Sequence, residues 1–181
     1  MMPSLEVFTQ NMRKLRLEKK NEIVCYDGLG MFSVARVAWM LRYFGAKNVR
    51  ILDGGLKKWK AEGRKVVGGD QVKHGEVLPN DKGDYSFTEA DKSIHIESIE
   101  KMHNVARLLH HSSDHDNIIV LDARSAGRFT GIDPEPYAGL RSGAIRNSIN
   151  IPFTNLVNED GTLKTTKEID AILKKDGVHS Y

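Results

Sequence analysis

Apolar positions along the chain change their period repeatedly, and each change marks an element. Leu5, Phe8, Met12 and Leu15 follow helical spacing behind Ser4, a residue that caps helices, so a helix is expected over about residues 5–16. Ile23-Val24-Cys25-Tyr26 is a continuous apolar run followed by glycines, the pattern of a buried parallel strand. Asp27 to Ser33 reads as a tight loop. After it, Val34, Val37, Ala38, Leu41 and Phe44 define one face of an amphipathic helix that Gly45 ends. Val49 to Leu52 is a second strand, and Asp53-Gly54-Gly55 closes it. A short helix from Leu56 to Glu62 stops at Gly63. Residues 64–94 mix glycine, proline and charge without a core face, as a linker does. Beyond them, Ile99, Met102, Ala106 and Leu109 return to helical spacing, Ile118 to Leu121 reads as a buried strand, and 122–148 as a long loop. Ile149-Asn150-Ile151 is a short strand ended by Pro152. Thr165 and Glu168 form a capping box for a helix that Gly177 stops. Helices alternating with short apolar runs predict an α/β fold with a parallel sheet.

Composition narrows the function without choosing it. The 181 residues are 40% hydrophobic and 28% charged, with 27 basic and 24 acidic side chains and a formal net charge of +3. That balance, with no basic stripe interleaved with aromatics, argues against nucleic acid. No apolar run approaches the ~20 residues of a membrane-spanning helix. The lone cysteine, Cys25, excludes an intrachain disulfide and a cysteine-rich zinc site, and suits a reducing compartment. Arg13, Lys14, Arg16, Lys19 and Lys20 raise the question of a transit peptide, but the helical spacing of Leu5, Phe8, Met12 and Leu15 favours a domain helix.

Several motifs then converge. The stretch Ile23 to Trp59 resembles the first, inactive domain of the tandem rhodaneses and 3-mercaptopyruvate sulfurtransferases. Val120 to Asn155, with Leu-Asp-Ala-Arg at 121–124, Gly-Arg-Phe at 127–129, Pro-Glu-Pro at 134–136 and Asn-Ile-Pro-Phe at 150–153, resembles the opening of their second, active domain. Leu163 to Asp170 continues the match, and Met2-Pro3-Ser4 looks like the family's usual run before a helix. The resemblance implies a rhodanese-like α/β fold, a parallel sheet with helices on both faces, incomplete relative to a tandem enzyme. It implies residues 1–66 as the C-terminal half of a first domain, 67–94 as a linker and 95–181 as the N-terminal half of a second. A tandem enzyme would carry a strand and loop ahead of Met1. Past Tyr181 it would carry a strand, a cysteine-led loop, a helix and a last strand.

In such enzymes sulfur is accepted by a cysteine thiolate at a strand-to-helix loop. Converging backbone N–H groups lower the thiol's pKa there and cradle the anion. The matching loop here begins with Asp27, which cannot accept sulfur and is expected to act as a built-in anion among those N–H groups. Cys25, inside the strand, is expected to be buried and inert. No catalytic residue is therefore expected within these residues. Arg128 matches the family's substrate-binding arginine, whose planar fork grips oxyanions; the alternative is pairing with a loop carboxylate such as Asp133 or Glu135. Asp122 and Arg124 resemble residues that brace loops. Two departures weaken the site: Tyr137 follows Pro136 where mercaptopyruvate enzymes carry a second arginine, and Gly143-Ala144-Ile145-Arg146-Asn147 replaces Gly-His-Ile-Pro-Gly. His110, His111, Asp114, His115 and Asp116 match no established metal-ligand spacing and read as solvated loop. No metal and no cofactor is called for.

Half a parallel sheet exposes apolar faces and edges. Either a companion chain supplies the missing strands, or the two halves close as one circularly permuted domain, or the residues are a fragment. The linker, at up to ~3.3 Å per residue, permits the second. The expected role is structural or interaction-based, with a protein partner or companion subunit and without nucleic acid or a membrane span. The alternative is a share in an active sulfurtransferase whose cysteine loop lies on another chain. The family occurs in mitochondria and cytosol, with mitochondria preferred.

Overall fold

A computed structural model describes residues 2–15, 17, 21–68, 97–111 and 118–179. The chain divides into two compact units. The first comprises Met1–His95 with Asp160–Thr162, and the second Ile96–Glu159 with Leu163–Tyr181.

In the first unit, α1 (Leu5–Lys14) starts at Ser4, whose hydroxyl accepts the Val7 N–H. Strand β1 (Ile23–Cys25) and strand β2 (Val49–Ile51) pair in parallel, with Ile23 opposite Val49 and Cys25 opposite Ile51. Between them in sequence runs α2 (Val34–Tyr43). Val34, Ala38 and Leu41, spaced to share one helix face, are buried together with Phe8, Cys25, Phe44 and Val49. The Phe8 and Phe44 rings stack with centroids 4.2 Å apart, which ties α1 to the end of α2. Gly45, at φ 90°, ends that helix, and the Arg42 guanidinium donates to the Val49 carbonyl at 2.8 Å. Helix α3 (Gly55–Ala61) follows the Asp53-Gly54-Gly55 turn.

In the second unit, α4 (Ile99–His111) precedes β3 (Leu121–Asp122), which pairs in parallel with β4 (Ile149–Asn150). A five-residue helix, α5 (Ala126–Thr130), opens the connection between them. The Asn150 amide donates to the carbonyls of Asp122 and Arg124, at 2.9 and 3.0 Å, and so pins the start of that connection. A 3-10 turn over Phe153–Leu156 leads towards α6 (Thr166–Lys175), whose Thr165–Glu168 capping box forms as expected.

The expected α/β architecture with parallel pairing is present. Several details differ. Among the described residues the strands make two two-stranded sheets, β1–β2 in the first unit and β3–β4 in the second. The expected buried strand at Ile118–Leu121 shrinks to Leu121–Asp122, and Ile118, Ile119 and Leu121 are exposed. Val24 of β1 and Tyr26 just after it are exposed too, and so is Val37 of the α2 face. The cause is common to these strands. A parallel strand is buried when both faces and both neighbours are supplied, and a two-stranded sheet supplies neither. On the exposed side Val24, Tyr26, Leu52, Leu56 and Trp59 line an open apolar groove. Positions 69–94 of the expected linker lie outside the described residues, and so do Asp114, His115 and Asp116.

Candidate functional site

In each unit a carboxylate singled out below sits inside a set of anion-binding donors. In the first unit it is Asp27. The chain turns sharply after β1, with Gly30 at φ 80° and Met31 at φ 61°, and this directs successive N–H groups inward. Asp27 Oδ1 accepts the N–H groups of Leu29 and Gly30 at 3.0 and 2.6 Å. Oδ2 accepts those of Ser33 and Val34 at 2.8 and 3.0 Å. Ser33 and Val34 open α2, and the Ser33 hydroxyl makes no cap bond, so Asp27 caps this helix from six residues upstream. Burial would raise the Asp27 pKa, but the four N–H donors outweigh it and hold the carboxyl below its ordinary range. The loop is braced from behind. The Asp27 carbonyl accepts the Leu56 N–H at 2.9 Å, and Gly55, at φ 55°, lies so close that a Cβ there would sit 2.7 Å from that carbonyl oxygen. A glycine is the residue that fits.

Cys25 lies two residues earlier with its side chain buried. Burial pushes its thiol pKa up, against a smaller lowering by the Arg42 charge. A raised pKa and an enclosed sulfur oppose nucleophilic chemistry.

In the second unit the carboxylate is Glu135, and its donors are guanidinium groups. Arg124 uses its whole fork. Nε donates to both Asp122 oxygens at 3.0 Å, Nη1 to Glu135 Oε1 at 2.8 Å, and Nη2 to Asp122 Oδ2 at 2.5 Å and to the Gly143 carbonyl at 2.8 Å. Arg128 grips Glu135 with Nε and Nη2 only. Its Nη1 makes no hydrogen bond among the described residues, and its side chain is 32% exposed. The Glu135 side chain, at 6% exposure, is the most enclosed of the four. Its carboxyl is held below the ordinary range, chiefly by the Arg128 hydrogen bond. Asp122 is lowered likewise, chiefly by Arg124. Two arginines and two carboxylates cancel in charge, and together they tie the end of β3 to two distant points of the loop.

Of the residues singled out in the sequence, Asp122, Arg124 and Arg128 thus meet at one place, and Asp27 occupies its own. Of the two loop carboxylates considered for Arg128, the partner is Glu135. Asp133 instead lies against Gly127, where a Cβ would meet its Oδ2 at 1.9 Å. That contact has no sequence signal, and neither does the bond from Arg124 to the Gly143 carbonyl. Tyr137 is 73% exposed. In the histidine-rich stretch, Arg146 Nη1 lies 3.4 Å from His110 Nε2; of the side chains beyond His110 in that stretch nothing is described. Among the described residues no group of three or more histidine, cysteine or carboxylate side chains is arranged to hold a metal, and no helix is long and apolar enough to cross a membrane.

The rhodanese-like domain family model matches residues 1–62. The chain is 35% identical to the 3-mercaptopyruvate sulfurtransferase of Escherichia coli over 98% of its own length and 57% of that protein's. Residues 1–62 belong to the rhodanese-like domain family, and the chain is similar to sulfurtransferases of that family along nearly its whole length. It also resembles the crystal structure of the Tum1 protein of Saccharomyces cerevisiae, with a TM-score of 0.80 and 26% identity, over 100% of this chain and 59% of that one. It resembles the yeast mitochondrial complex I sub-stoichiometric sulfur transferase subunit as well, with a TM-score of 0.74 and 29% identity, over 98% and 60%. The chain therefore spans somewhat more than half the length of these relatives.

Proposed function

We propose that these 181 residues form the non-catalytic portion of a rhodanese-type sulfurtransferase: they hold loops and an oxyanion-facing arginine in place but do not themselves carry sulfur. Residues 1–66 act as the C-terminal half of an inactive first domain and 95–181 as the N-terminal half of a second, joined through 67–94. The observation behind this reading is the Asp27 loop. It offers four converging N–H donors at a strand-to-helix turn, the setting in which a thiolate would be activated, and a carboxylate fills it. The one cysteine is buried elsewhere. In this reading the role is structural or lies in protein interaction within a larger assembly, and the resemblance to a mitochondrial complex subunit favours a mitochondrial setting.

A second reading rests on Arg128. Its fork is only half used, so it can serve an active sulfurtransferase once a companion chain brings a cysteine loop. One experiment addresses both readings. The purified 181-residue chain is assayed for thiocyanate from thiosulfate and cyanide, and for sulfide from 3-mercaptopyruvate, alone and after copurification with native partners identified by mass spectrometry. The expected result for the chain alone is no turnover. Turnover by the chain alone that persists in Cys25→Ala overturns both readings; turnover that appears only with a partner selects the second.

A further inference from the structure

We propose that Glu135 is a positioning residue that turns Arg128 into an oxyanion receptor, and that this assigns different duties to the two arginines of the cluster. The inference rests on the reading of Arg128 as the oxyanion-facing arginine and adds what orients it. A guanidinium has a side-on edge, Nε with Nη2, and an end-on edge, Nη1 with Nη2, and each can hold a carboxylate or sulfonate through two parallel bonds. Glu135 takes the side-on edge of Arg128 through both of its oxygens. The end-on edge then faces away from Glu135, with Nη1 unengaged among the described residues. Arg124 differs. Its two edges are spent on Asp122, Glu135 and the Gly143 carbonyl, so it has no edge left for a ligand.

Position alone explains why Glu135 matters. A free arginine side chain has several rotatable bonds, and ordering it on binding costs affinity. Here the cost is met on folding, because Glu135 is itself fixed by Arg124, and Arg124 by the strand-end Asp122. The chain of alternating charges runs from β3 to the open edge of Arg128. The ligand class is a small oxyanion with two coplanar oxygens or a tetrahedral sulfonate-like head. A purely electrostatic view gives the opposite forecast for a substitution. Removing the Glu135 charge leaves the cluster one unit more positive, and this alone would tighten anion binding.

The test measures binding of pyruvate and thiosulfate to the 181-residue chain by titration at low salt, in the wild type, Arg128→Ala and Glu135→Gln. Arginine side-chain NMR follows the Arg128 Nε–H signal in the same samples. The wild type is expected to bind, Arg128→Ala to lose binding, and Glu135→Gln to bind roughly three- to tenfold more weakly, the effect of freeing one long side chain. In that variant the Arg128 Nε–H signal is expected to lose its rigid-side-chain relaxation. Unchanged or tighter binding in Glu135→Gln overturns the positioning role and leaves the Arg128 reading intact. A wild type that binds neither anion, or binding that survives Arg128→Ala, overturns both. If Glu135→Gln does not fold, the wild type still decides. Its Arg128 Nε–H signal is expected to stay rigid down to pH values below the ordinary glutamate range and to become mobile only as Glu135 protonates. A signal mobile at neutral pH overturns the proposal.

Discussion

Asp27 and Glu135 occupy their donors in the same chemical sense, but the donors differ in kind. Around Asp27 they are backbone N–H groups, fixed by the turn that Gly30 and Met31 make and by the Gly55 contact behind it. Around Glu135 they are guanidinium groups at the ends of long side chains. A backbone nest has one cavity, and a carboxylate that enters it closes it. A guanidinium has two edges, and a carboxylate on one leaves the other open. The same device, an internal anion on a set of donors, therefore fills the first set and leaves one guanidinium edge of the second open.

The strongest way to break this contrast is to remove the internal anion where the donors cannot move. Asp27→Ala strips the acceptor from four N–H groups, two of which begin α2. Hydrogen bonds to a charged group are worth about 1.5–3 kcal/mol, and water reaches part of this loop, so a net loss of about 2–3 kcal/mol is expected in denaturant unfolding. A loss below about half a kcal/mol would mean that the turn holds its own shape. The wild type carries a matching pH signature. Because the Asp27 carboxyl is lowered in the folded state, its contribution is complete above the unfolded aspartate range near about pH 4. It is lost as pH falls from there through the lower folded value. Stability of Asp27→Ala should therefore fall less steeply over that acid window than stability of the wild type.

In the second unit the contrast predicts an asymmetry between the arginines. Arg124→Ala removes bonds to Asp122, Glu135 and Gly143 at once and leaves Asp122 without its guanidinium partner. Breaking a fully buried pair costs ~3–5 kcal/mol, and the 28% exposure of the Arg124 side chain discounts this to about 2 kcal/mol. Arg128→Ala leaves Glu135 paired with Arg124 and should cost less than half as much. Equal losses, measured by urea unfolding, would remove the distinction between a brace and a receptor.

How much of this was readable in the residue order depends on what holds each feature. Helix α2 was legible because one repeating face buries it: Val34, Ala38 and Leu41 need only local periodicity. The Thr165–Glu168 cap was legible because its bonds span three residues. Asp27 as an internal anion was legible through family resemblance, since a strand, a short glycine-bearing loop and a helix start predict converging N–H groups. The burial expected of Ile118–Leu121 failed because apolar character states what a strand can bury, while its neighbours decide whether burial happens. The choice of Glu135 over Asp133, and the bond from Arg124 to the Gly143 carbonyl, were beyond pattern reading. They depend on how a long, irregular connection folds back on itself, and neither periodicity nor composition encodes that path.

The smallest effects compare the two ways a helix start is satisfied. At α6 the cap is local: Thr165 accepts the Glu168 N–H, and Glu168 accepts the Thr165 N–H at 2.8 Å in return. At α2 the cap residue is Ser33, whose backbone (φ −117°, ψ −19°) departs from the extended geometry of a side-chain cap; its hydroxyl makes no cap bond, and Asp27 instead holds the Ser33 and Val34 N–H groups. The two hydroxyls thus look alike in sequence and differ in duty. Thr165→Ala should cost about 1 kcal/mol, the usual loss of an N-cap acceptor. Ser33→Ala should stay within about half a kcal/mol of the wild type, as exposed substitutions away from such features do. Paired urea titrations settle the comparison. If Ser33→Ala costs as much as Thr165→Ala, then the helix start depends on its own hydroxyl after all, and Asp27 is a loop residue rather than the cap of α2.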